Sequence, residues 1–84
     1  MFKKGDMVTG AKVTKRYKVW ASVIDSGGDY VRTQSGARVI VPIHSGIYLV
    51  INSFQSNGCN LLRVFCCKTL KWLIVNRSDV VRVK

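Results

Sequence analysis

The 84-residue sequence predicts a single all-β domain, a sandwich or small barrel. Three features predict it. β-Branched and aromatic residues fall in short runs separated by turn residues. These runs recur at a spacing of roughly 8–12 residues. No segment keeps an apolar 3.6-residue period beyond two turns, so no long helix is expected. The length makes one domain over residues 1–84. A hydrophobic fraction of 48% supplies a core and is too high for a disordered chain.

The elements follow in order. Met7-Val8-Thr9, between Gly5-Asp6 and Gly10, reads as a short first strand. Lys12 to Lys18 is polar and basic, a loop or an exposed strand edge. Val19 to Ile24 is a strand. Asp25-Ser26-Gly27-Gly28-Asp29 is a turn, since glycine supplies the positive φ that tight hairpins need. Tyr30 to Gln34 returns, Ser35-Gly36 turns again, and Ala37 to Ile43 is another strand. Pro42 has no N–H for a ladder, so that strand is an edge or ends there. His44-Ser45-Gly46 is a break. Ile47 to Phe54 is a strand, and Gln55-Ser56-Asn57-Gly58 a turn. Leu61–Cys67 and Leu70–Val75 form a hairpin around Lys68-Thr69. Asn76 to Asp79 is a bend or one helical turn capped by Asp79, and Val80 to Val83 closes the chain.

Side chains alternate across a strand. Leu62, Val64 and Cys66 share one face and Arg63 takes the other. Leu70, Trp72 and Ile74 lie opposite Lys71, and Val81 and Val83 lie opposite Arg82 and Lys84. Basic residues are thereby expected on the outer face of a closing sheet.

Charge bounds the function. There are 14 Lys+Arg against 4 Asp+Glu, a net charge of +10, and the acids are all aspartates. Such a chain attracts polyanions, with nucleic acid the default partner and acidic protein or anionic membrane the alternatives. Three cysteines, two of them adjacent, do not make a disulfide framework and read as reduced thiols. Met1 to Asp6 lacks the apolar run of a signal peptide. The apolar runs fall far short of the ~20 residues that span a membrane. The expected location is the cytoplasm of a bacterium or of a phage-infected bacterium, with no membrane partner.

The segments "FKKGDMV", "GIYLVI", "NLLRVFCC", "LKWLIV" and "RSDVVRV" resemble the strands and short helical turn of SH3-like barrels, including the KOW and Tudor-like modules. The layout is also similar to that of small phage-encoded proteins. The resemblance covers residues 2–10 and 46–84. It implies a small SH3-like antiparallel barrel with at most one short helical turn, and binding of nucleic acid, ribosome or polymerase components, or peptides. Residues 11–45 exceed a single connecting loop and predict an inserted β-hairpin region.

Candidate sites follow from residue chemistry. Lys12, Lys15, Arg16 and Lys18 interleave with Tyr17 and Trp20. Cations meet phosphates, and flat rings meet unstacked bases. Tyr17 and Trp20 also read as ordinary core residues beside a solvated loop, and for Trp20 the two readings weigh the same. Arg32 and Arg38 face each other across the Ser35-Gly36 turn as a second patch. Arg63, Lys68 and Lys71 form a third, which Arg77, Arg82 and Lys84 extend; a solubilising charged face accounts for many of these residues equally well.

Zinc would need four convergent ligands. His44, Cys59, Cys66 and Cys67 do not offer them, because adjacent Cys66 and Cys67 point to opposite faces of a strand. No metal, cofactor or catalytic constellation is expected. The aspartates read as turn and cap residues, and Gly27-Gly28 lacks the helix and lysine of a phosphate loop.

The expectation is a non-enzymatic basic module that binds DNA or RNA backbone electrostatically. The rival is a phage effector docking on an acidic host protein to inhibit or redirect it. A virion subunit is a third reading. The chain is expected to be a monomer, or a weak dimer through an edge strand.

Overall fold

The computed structural model describes residues 2–10, 20–43 and 46–83. Among these the fold is all-β, one antiparallel sheet curled into a half-barrel. The strands are β1 (Met7–Gly10), β2 (Trp20–Ile24), β3 (Ile40–Pro42), β4 (Tyr48–Ser56), β5 (Cys59–Cys66), β6 (Lys71–Asn76) and β7 (Val80–Arg82). Their order across the sheet is β3-β2-β6-β5-β4-β1-β7. A 3₁₀ turn, Arg77–Asp79, precedes β7. Among the described residues β3 and β7 pair on one side only, so the curl ends in two edges. Pro42 ends the β3 edge, where its missing N–H costs no ladder bond.

Alternation builds the core. Leu62, Val64 and Cys66 of β5 point inward and are essentially inaccessible, as are Tyr48 and Val50 of β4 and Val8 of β1. A bulge between Val50 and Asn52 then shifts the register of β4. Without it, Asn52 and Phe54 would continue the inward row. With it, Ser53 pairs with inward Leu62, and Phe54 pairs with Leu61 on the outer face. The bulge therefore moves an aromatic ring outward and places a small hydroxyl where the core gives way to solvent.

Two face assignments differ from the sequence expectation. On β6 the core residues are Leu73 and Val75, which pair with Val64 and Leu62. Trp72 and Ile74 take the outer face beside Phe65 and Arg63. Both alternating sets are apolar, so the pattern alone could not choose; the partner strand does. Leu70 is not part of the strand. It sits at φ 56 in the turn, and its N–H donates to the Cys66 carbonyl at 2.8 Å. On β7, Val80 is the buried residue and Val81 is exposed. Arg82 pairs with Val8 and so shares the inward face, at the open end of the sheet.

The predicted insertion is present as a hairpin over residues 30–39, made of isolated bridges rather than full strands. Val23 donates to Val39, Val39 to Val31, and Val31 to Val23, a closed set of three backbone bonds. Val31 and Val39 pack on the core while the other residues of the hairpin are largely exposed. Apolar anchoring at two positions is too little for a long ladder. The β4–β5 turn is tighter than expected. Asn57 (φ 51) and Gly58 (φ 77) both adopt positive φ, the two-residue hairpin that Asn-Gly favours. The 3₁₀ turn is capped by Asn76, whose Oδ1 accepts from the Ser78 N–H at 3.1 Å and hydroxyl at 2.9 Å. Asp79 closes that turn instead of capping it.

Candidate nucleic-acid interface

The N-terminal segment is pinned before β1 begins. Lys3 N–H donates to Asp6 Oδ2 at 3.0 Å, Asp6 N–H to the Lys3 carbonyl, and Gly5 N–H to the Val50 carbonyl. Gly5 has φ 94, a turn conformation that suits glycine. This turn lays Phe2 against the core and beside two guanidinium groups, Arg77 at 5.8 Å and Arg82 at 5.4 Å from the ring centroid. Arg82 also forms an ion pair with Asp6 at 3.0 Å. The Lys3 N–H and the Arg82 charge hold the Asp6 carboxyl below the ordinary aspartate range, outweighing the upward push of burial.

Two adjoining cavities share Phe2, Asn60 and Arg77. One, of about 380 Å³, also reaches Cys59, Asn76, Ser78 and Val80. The other, of about 430 Å³, runs along Ser53, Gln55 and Leu62. Each lies in the size range of small-molecule pockets. The groove is rimmed by side-chain amides and hydroxyls, with Arg77 as its cation. Gln55 Nε2 donates to Asn60 Oδ1 at 2.9 Å across the hairpin.

Guanidinium–ring pairing recurs elsewhere. Arg38 lies over Tyr30 at 3.8 Å, and Arg63 over Phe54 at 5.0 Å. Among the five described arginines, Arg32 alone has no ring beneath it; its Nη1 donates to the Gly36 carbonyl at 2.8 Å. Arg63 Nε is buried without a hydrogen-bond partner. Among the described residues, Arg82–Asp6 is the one ion pair. Asp25 is engaged instead by the backbone, its Oδ1 accepting from the Gly27 and Asp29 N–H groups.

The sequence-predicted patches fare differently. Lys12, Lys15, Arg16, Tyr17 and Lys18 lie outside the described residues, as does His44. Trp20 is 55% exposed at the β2–β3 edge, so its core reading does not hold. Arg32 and Arg38 face each other as a bridge pair. Arg63, Lys68 and Lys71 do not form one patch. Arg63 pairs with Ile74 on the outer face, while Lys71 pairs with inward Cys66. Strand parity separates them. The Phe2 groove was missed, although Phe2-Lys3-Lys4 is itself an aromatic beside two cations.

The cysteines differ sharply. Cys59 and Cys67 are exposed and Cys66 is buried. Burial pushes the Cys66 thiol up, but hydrogen bonds from Thr69 and Lys68 and the Lys68 charge together bring it below its ordinary value. No cluster of metal-binding side chains occurs among the described residues. No described helix is long and apolar enough to cross a membrane. No family model, curated protein or solved structure matches the chain.

Proposed function

We propose that the chain is a non-enzymatic module that binds nucleic acid, with phosphates supplying affinity and aromatic side chains supplying contact with bases. The observation that carries this reading is the pairing of cations with rings in place of acids. A +10 chain uses one described carboxylate in an ion pair, with Arg82, and sets three other guanidinium groups, Arg38, Arg63 and Arg77, over aromatic faces. A cation held this way keeps its charge available for phosphate, since a ring offsets only about 0.5–1 kcal/mol at an exposed site. The test is affinity for DNA and RNA across a salt series. Counterion release requires binding to weaken linearly on a log–log plot, and no binding at low salt would sink the reading.

A second reading, docking on an acidic protein, rests on the β3 edge. Trp20, Ile40 and Pro42 share the outer face there, and Trp20 and Ile40 are about half exposed. An extended partner segment can add to such an edge. A stoichiometric protein that survives nuclease treatment in a pull-down would favour this reading over the first.

A further inference from the structure

We infer that the groove around Phe2 is a nucleobase site, so that the chain prefers single-stranded nucleic acid to duplex. This rests on the nucleic-acid reading above and specifies it. The groove brings together the three things an unpaired nucleotide presents partners for. A base is flat, and the exposed Arg77 guanidinium, lying over the Phe2 ring, gives it a flat face. Its edge carries donors and acceptors side by side. The Gln55–Asn60 bond uses one donor and one acceptor of the two amides, and leaves a carbonyl oxygen and further N–H donors on the pair. That holds whichever way round the amides are assigned. Its phosphates are anionic, and Arg77 lines both cavities while exposed Lys3 and Lys4 follow Phe2 directly.

A duplex offers the phosphates but not the rest, because its bases are already stacked and paired. An acidic peptide offers charge and amide groups but, without an aromatic residue, no flat ring to stack on the Arg77 guanidinium. The concavity, the ring and the amide pair therefore select an unpaired base, where charge alone would accept any polyanion.

Cys59 lines the groove and is exposed, whereas Cys67 is exposed in the β5–β6 turn, outside it. The two thiols report occupancy with an internal control. The experiment measures binding of the full chain to a fluorescent single-stranded dT oligomer of about ten nucleotides, and to its duplex with dA, at matched salt. Alkylation rates of Cys59 and Cys67 are followed with and without saturating oligomer.

The single strand is expected to bind roughly 5- to 150-fold tighter than the duplex. Cys59 alkylation slows on binding and Cys67 alkylation does not. Phe2→Leu, which keeps an apolar body against the core, lowers single-strand affinity more than duplex affinity. Asn60→Ala, at an exposed hairpin position, does the same to a smaller extent. Equal affinity for duplex and single strand, with Cys59 unprotected, overturns the base site and leaves phosphate-driven binding standing. Absence of binding to either at low salt removes both.

Discussion

Leu61 and Leu62 are adjacent leucines on opposite faces of one sheet, which makes them a matched pair for testing the register. Leu62 is fully buried between Ser53 and Val75, while Leu61 is part-exposed on the outer face between Phe54 and Asn76. Truncating Leu62 to Ala removes three buried carbons, about 2.4 kcal/mol at ~0.8 kcal/mol each. The cavity left behind adds to this, so Leu62→Ala should cost about 3 kcal/mol, within the range for core leucines. Leu61→Ala should cost less than about 1 kcal/mol. A domain of this size is stable by roughly 4–13 kcal/mol, so the Leu62 loss is large and shifts Tm down by about 12–24 °C. Urea unfolding followed by the fluorescence of Trp20 and Trp72 reads both variants. A one-residue slip of β5 would exchange the two faces. Equal losses, or a larger loss at Leu61, would refute the pairing on which the groove depends.

Other expectations follow from single contacts. Asp6 has a depressed pKa when folded, so its contribution to stability is full above about pH 4 and is lost as pH falls through the lower folded value. The urea midpoint of the wild type should therefore fall more steeply in acid than that of Asp6→Asn. Among the thiols, Cys59 and Cys67 should react with a thiol reagent in the native protein, and Cys66 only on unfolding; rapid native reaction of all three would show the β5–β6 end to be open.

Strand positions were readable because β-branched runs and turn glycines are local signals. Asn57-Gly58 and the Pro42 edge were likewise encoded in single residues. Which face each strand buries was readable on β5, where Arg63 breaks the apolar row. It was not on β6, where Trp72-Leu73-Ile74-Val75 is apolar at every position and only pairing with β5 decides. The β4 bulge was invisible for the same reason, since Val50-Ile51 offers no marker of an extra residue. The Phe2 groove assembles residues from the N-terminal segment, the β4–β5 hairpin and the 3₁₀ turn. A linear scan for clustered cations favours Lys12–Lys18 and passes over a site whose parts meet only in three dimensions.

The proposed binding of nucleic acid rests on cations that acids leave unneutralised. Its most direct test is the affinity of the full chain for a single-stranded oligonucleotide as salt is raised. Three cations at the Phe2 end, Lys3, Lys4 and Arg77, give a slope of log K against log salt of about −2, and further contacts steepen it. That slope, or a steeper one, with tight binding at low salt is the predicted result. A slope near zero, or no binding at low salt, would contradict the account.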